Sequence, residues 1–324
     1  MITFVSRLLL IVSVLLLAGC ASTPTVTISG EEAYRPRHAE RFSIYHTDGE
    51  STVIEIRDPW QGADSEREQI FVSRSGERPP EGFEGQVIEA PVRRVVCFSA
   101  SYVAFLDALG CAESVCGVSG ASYISCNTVR ERYAAGAVRE VGYDTSVNYE
   151  LIAAMRPDMV LLYGIGSAQS AITGKLAELG IPFMYVGEYV ESSPLGRAEW
   201  IVPFGELTDR RDRAVAIFDQ IATRYDSLRT AASELQERPS VLLNSPYRDV
   251  WFVPGDRSYM VQLISDAGGS YLFTGDDSDA SRPISGEAAY LASLNADVWL
   301  NPSQARSLEE LKWIIRLSWT AVES

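Results

Sequence analysis

Histidine is nearly missing from this chain: His38 and His46 are the only two in 324 residues. Both lie near the start, so the remainder has no imidazole to act as base in a Ser-His-Asp or Cys-His arrangement. The same scarcity removes the ligand that zinc-type centres favour, and no C-x-x-C pair replaces it. Hydrolase and bare-metal readings lose their chemistry here, and no cofactor is called for. Lysine is as scarce, with Lys175 and Lys312 alone, and the formal net charge is −15. So acidic a body lacks the basic face that nucleic acid demands.

Long apolar runs are also lacking, apart from Leu8 to Leu17 behind Arg7. That run is about half of what a spanning helix needs. A basic start, a short apolar core and Leu17-Ala18-Gly19-Cys20 describe a secretory leader with a boundary before a cysteine. The boundary resembles the lipobox of bacterial lipoproteins. It implies removal of residues 1–19 and a lipid anchor on Cys20, and it puts the protein in the cell envelope, outside the cytoplasm. The mature chain of about 300 residues is long enough for two domains.

Four further cysteines, Cys97, Cys111, Cys116 and Cys126, are an even number in an oxidising compartment, where disulfides form. Three pairings are open, and for Cys97, inside Val95-Val96-Cys97-Phe98, a buried free thiol is an equal alternative.

The order of segments indicates an α/β protein. Residues 20–41 read as a polar tether. Phe42 to Ile56, turning at Asp48-Gly49, reads as a β-hairpin within an N-terminal extension spanning 42–91, with a loop over 74–85. From Val92 strands and helices alternate, which predicts a parallel sheet covered on both faces over 92–205. No glycine or proline interrupts Asp209 to Glu237, so a linking helix is expected within 206–238, with Thr208 as its cap. Its apolar stripe is Phe218, Ile221, Tyr225, Leu228, Ala232 and Leu235. A second lobe follows over 239–324. It contains an echo of the first: Ile152-Ala-Ala-Met-Arg-Pro-Asp158-Met-Val-Leu161 resembles Leu291-Ala-Ser-Leu-Asn-Ala-Asp297-Val-Trp-Leu300.

In open α/β sheets ligands collect beyond the carboxyl ends of the strands. Those ends carry Ser99 with Tyr102, then Tyr123, Tyr143, Tyr163 and Tyr189, and in the second half Tyr247 and Trp251. A flat apolar ring with a polar tip suits a large planar or polycyclic guest. Taken singly, each tyrosine is better explained by packing; as a group they point to a binding cleft. Arg197, Arg248, Arg257 and Arg282 lie in or near loops and could meet anionic groups. Gly164-Ile165-Gly166 lacks the third glycine of a dinucleotide fingerprint, and Gly117 to Ala121 is no nucleophile elbow.

Several segments together resemble one family. They are Arg94-Val-Val-Cys-Phe-Ser99, Gly117-Val-Ser119, Val141-Gly-Tyr-Asp144, Asn148-Tyr-Glu150 with Pro157-Asp158, Leu179-Gly-Ile-Pro182, and Pro194-Leu-Gly-Arg197 before the long helix. In order and spacing they resemble the substrate-binding proteins of iron-complex ABC importers. The resemblance implies two Rossmann-like lobes joined by one long α-helix, with a ligand cleft between them. It implies a monomer whose guest is a ferric siderophore, haem or cobalamin-type corrinoid, a haem taking a tyrosine ligand. It further implies docking on an ABC transporter permease through Glu150 and Glu287, although each also suits the start of a helix electrostatically. The chain departs from the family pattern in its N-terminal extension and its short second lobe. The alternative role is a surface lipoprotein acting as an interaction scaffold.

Overall fold

In the computed structural model, residues 30–143, 146–164, 168–246, 250–302, 307 and 309–311 are described. Cys20, Tyr247 and Arg248 lie outside these residues.

The described chain opens on a five-stranded sheet of β1 (Glu32–Tyr34), β2 (Phe42–His46), β3 (Thr52–Arg57), β4 (Arg67–Ser73) and β5 (Gln86–Glu89), adjacent in that order. The expected hairpin is its middle pair, with Phe42 opposite Ile56. Alternation along a strand sends every second side chain to the same face. Phe42, Ile44, Ile54, Ile56, Ile70, Val72 and Ile88 form such a face, each at most 2% exposed. They share one core with Val95, Trp200, Phe204 and Phe218, so the extension is continuous with the lobe that follows.

Residues 30–41 were expected to be a tether, and this is corrected. They are held by carboxylates far along the chain. Glu199, fully buried, accepts from Tyr34 Oη and from the backbone N–H of Arg37, His38 and Ala39 at 2.7–2.8 Å. Glu191 accepts from the N–H of Glu40 and Arg41 and from Trp200 Nε1. Glu206, also fully buried, pairs with Arg74 at 2.7 Å and Arg211 at 3.2 Å and accepts from Thr52 Oγ1. Local polarity suggests a solvated tether because the partners are about 150 residues away.

The first lobe contains β6 (Val95–Cys97), α1 (Ala100–Ala108), β7 (Val115–Val118), α2 (Asn127–Ala134), β8 (Arg139–Glu140), α3 (Tyr149–Met155), β9 (Met159–Leu162), α4 (Ala168–Glu178) and β10 (Phe183–Tyr185). Its parallel strands lie in the order β10-β9-β6-β7-β8, the doubly wound Rossmann arrangement. The outer edge of β10 is closed by side chains of the N-terminal sheet. Gln86 bonds both the N–H and the C=O of Phe183 at 2.7 Å, and Glu68 accepts from the N–H of Tyr185 at 2.9 Å. An exposed strand edge, open to pairing with other chains, is thereby satisfied internally.

Two short helices, α5 (Pro194–Glu199) and α6 (Ile201–Leu207), lead into α7 (Arg211–Ser233). This helix is unbroken over 23 residues, about 35 Å long, shorter at both ends than expected. Thr208 does not cap it. Its hydroxyl donates back to Phe204 O, and Asp209 turns the chain at φ +58°. The expected stripe is also corrected. Phe218 is buried with Ala214 and Ala222, whereas Ile221, Leu228 and Leu235 are exposed.

The second lobe holds β11 (Ser240–Leu243), β12 (Trp251–Pro254), α8 (Tyr259–Asp266), β13 (Ser270–Tyr271), β14 (Ser281–Ile284), α9 (Gly286–Ser293) and β15 (Val298–Leu300). Its parallel sheet runs β13-β11-β15, beside an antiparallel β12-β14 ribbon. Tyr225 Oη donates to Asp266 Oδ2 at 2.7 Å and ties α7 to this lobe. All four described cysteines are free thiols, so the disulfide alternative is not taken. Burial pushes the Cys97 and Cys116 thiols above their ordinary pKa.

Candidate functional site

The strands point their carboxyl ends at a cavity of about 310 Å³ between the lobes. Tyr189 to Ser192, after β10, line one side. Asn244 after β11, Asn301 after β15 and the Ser258-Tyr259-Met260 start of α8 line the other. The Ser258 hydroxyl accepts from Val261 N–H and fixes that helix start. Gln61, from the β3–β4 connection, completes the rim. Neutral amides and hydroxyls predominate, with Glu191 and Asp279 as acids and no arginine or lysine among the described lining residues.

Beside the cavity, Arg197 of α5 lies 3.9 Å over the ring of Tyr259. This cation–π contact joins the lobes across the cleft, a bond worth roughly 0.5–2 kcal/mol according to its desolvation. Glu188 lies nearby at 5% exposure. One of its oxygens accepts from Ser101 Oγ at 2.7 Å, and the other has no hydrogen-bond partner among the described residues. Burial raises the pKa of this carboxyl, while Ser101 and then Arg197 oppose the shift. Among the described residues no three His, Cys, Asp or Glu side chains are grouped to hold a metal ion.

A two-lobed sheet pair with its cavity at the strand ends is the frame of a solute-binding protein. Residues 95–312 match the family described as periplasmic binding protein. The chain belongs to that family. It is 24% identical over 300 residues to an uncharacterized lipoprotein of Methanocaldococcus jannaschii, covering 85% of this chain and 70% of the relative. Its fold resembles a periplasmic binding protein from Veillonella parvula, with TM-score 0.57 and 14% identity over 83% of this chain and 84% of the other. It also resembles an ABC-type Fe3+-hydroxamate transport system protein from Saccharomonospora viridis, with TM-score 0.52 and 21% identity over 69% and 78%. Members of this family bind solutes and perform no catalysis.

Within this periplasmic binding protein the predicted site residues separate. Tyr189 lines the cavity, its phenol donating to Gly164 O. Ser99 is half-buried; it caps α1 and bonds Ser101 Oγ at 2.9 Å, which links it to Glu188. Tyr163 is half-buried between two core clusters. Tyr102 and Trp251 are corrected to core residues. Tyr102 is fully buried, and Trp251 is 3% exposed with Nε1 donating to Leu243 O. Tyr123 and Tyr143 are exposed at 69% and 58% and do not line the cavity. Arg257 pairs with Asp277 and Arg282 with Asp276 at the surface. A tyrosine-lined gap is thus replaced by a mixed polar one. Gln61, Glu188, Ser258, Tyr259 and Asn301 were missed. Gly187-Glu188-Tyr189 was readable as a strand end, and the echo could have flagged Asn301, while nothing local marks Gln61.

Proposed function

We propose that this protein is an extracytoplasmic, lipid-anchored receptor that captures a ferric siderophore, haem or corrinoid and delivers it to an ABC transporter permease. The observation that carries this reading is the inter-lobe cavity at the strand ends, braced by the unbroken helix α7. The lipoprotein name of the archaeal relative supports the location, and the hydroxamate-transport neighbour supports an iron chelate. Among the described lining residues amides and hydroxyls predominate, two are acidic and none is cationic, which favours a neutral polar chelate over an anionic one.

Permease docking falls to Glu150 and Glu287. Both are exposed and both occupy the second position of a helix, after the capping residues Asn148 and Ser285. Absorbance and native mass spectrometry of protein purified from its host test the reading. A bound chelate or corrinoid is expected; protein that stays empty and also ignores ferrioxamine B, hemin and cyanocobalamin refutes it.

A further inference from the structure

We propose that the β3–β4 loop of the N-terminal sheet is a third wall of the binding cleft, and that Gln61 at its tip contacts the guest. The proposal rests on the receptor reading above and extends it to a part of the chain that the family match, beginning at residue 95, does not cover.

The loop is built to hold one shape. Asp58 donates its N–H to Glu66 O at 2.9 Å, and its Oδ1 accepts from Glu66 N–H at 3.1 Å, closing the base. Ala63 N–H donates to Trp60 O at 3.1 Å, and Arg41 Nη1 donates to Asp58 O at 3.0 Å. The loop is also seated on the first lobe, against its edge strand β10. Trp60 packs on Tyr185 with ring centroids 4.8 Å apart.

Two glycines make room for it. A Cβ on Gly164, just beyond β9, would sit 2.5 Å from the Trp60 ring. A Cβ on Gly187, just beyond β10, would meet Pro59 Cα at 3.3 Å. Both glycines follow strands whose ends face the cleft, so the approach of the loop is written into both partners. Gln61 then projects past Trp60 into the cavity lining, beside Tyr189.

The Tyr189 phenol donates to Gly164 O and forms part of the wall. The guest meets an amide at Gln61 opposite amides and hydroxyls at Asn244, Ser258 and Asn301. That chemistry suits a neutral chelate with peripheral amide or hydroxamate groups. A cavity of about 310 Å³ is at the small end of the range for ligand sites, as expected if a third wall narrows it.

The test compares Gln61→Trp, Gln61→Ala and Asp64→Trp with the parent protein. Gln61 and Asp64 are both exposed on the same loop, so each variant should fold, which circular dichroism melting verifies. Asp64 is not among the cavity-lining residues and serves as the control. Ferrioxamine B, hemin and cyanocobalamin are titrated by calorimetry. Gln61→Trp is expected to weaken the tightest probe at least tenfold, with Asp64→Trp within twofold of the parent. Equal binding by Gln61→Trp and the parent overturns the wall while leaving the receptor intact. If the parent binds none of the probes, guest occupancy after purification from the host is compared instead, and equal occupancy overturns the wall. Failure of the receptor itself looks different: parent, Gln61→Ala and Asp64→Trp all stay empty, and the wall falls with it.

Discussion

Asp158 and Asp297 do the same job at corresponding points of the two lobes. Asp158 Oδ2 accepts from the N–H of Arg93 and Arg94 at 2.6 and 2.9 Å, and its own N–H donates to Arg94 O. Asp297 Oδ2 accepts from Ser240 N–H and Oγ at 2.8 and 2.7 Å, and its own N–H donates to Ser240 O. In each case the aspartate precedes a strand, β9 or β15, and clasps the start of the neighbouring strand: Arg93 and Arg94 just before β6, and Ser240, the first residue of β11. The echo in the sequence is therefore a repeated latch that sets strand register.

The latch makes an acid-range prediction. The Ser240 hydroxyl and then its N–H hold the Asp297 carboxyl below the usual carboxylate range. A lowered folded-state pKa contributes stability above the unfolded value and loses it as pH falls through the folded one. Asp297→Ala should therefore unfold at lower urea than the parent at neutral pH, and the gap should close below about pH 4. Urea midpoints across pH 3–7 read this directly. A gap that stays constant down to acid removes the charge from the explanation.

Glu68 predicts the opposite slope. Burial pushes its carboxyl up to about 8, against the opposing bonds from Tyr185 N–H and the Gln86 amide. Its folded form keeps a proton that the unfolded chain has already lost, so stability falls as pH rises from the ordinary carboxylate range to about 8. The loss should be on the order of 1–2 kcal/mol, less than full burial would give because the carboxyl borders an open cavity. Glu68→Gln should flatten that slope in thermal melts between pH 5 and 8. An unchanged slope would mean that another group carries it.

The lobes were legible because their signals are local. Strand–helix alternation after Val92, the repeated Asp158 and Asp297 segments and a stretch free of glycine and proline near α7 all lie within short windows. The N-terminal sheet was only half legible. The Phe42 to Ile56 pair shows its turn, but the partners of residues 34–41 are Glu191 and Glu199, which no local pattern connects to them. The aromatic site residues failed for a different reason. Whether a ring after a strand faces the cleft or the core depends on the turn that follows. Tyr102 is already inside α1, and its side chain packs beside Phe204 in the core, whereas Tyr189 stays at the rim. Gln61 reaches the cleft only through sheet packing, which the sequence does not advertise.

Reversing the two glutamates proposed to dock on the permease should separate delivery from capture. Glu150 and Glu287 are exposed at helix starts, and neither is among the cavity-lining residues. Glu150→Arg with Glu287→Arg should lower uptake of labelled ligand in host cells at least tenfold. Affinity of the purified protein should stay within twofold, because interface charges act chiefly on encounter and register. Uptake that survives both reversals would favour the scaffold role over transport.

The last prediction concerns the seam that carries the Gln61 loop. Glu199 is fully buried and satisfies three backbone N–H groups together with the Tyr34 hydroxyl. Glu199→Ala would leave those donors without their acceptor, and losing a buried charged partner costs about 3–5 kcal/mol. Tyr34→Phe removes one donor and leaves the carboxylate three others, so its cost should be about 1–2 kcal/mol. Residues 34–41 should also come loose in Glu199→Ala. Brief trypsin treatment should then cut at Arg37 or Arg41 under conditions that leave the parent intact. A variant that melts within about 1 kcal/mol of the parent and resists trypsin there would show that packing of the Phe42 and Ile44 face holds the sheet by itself.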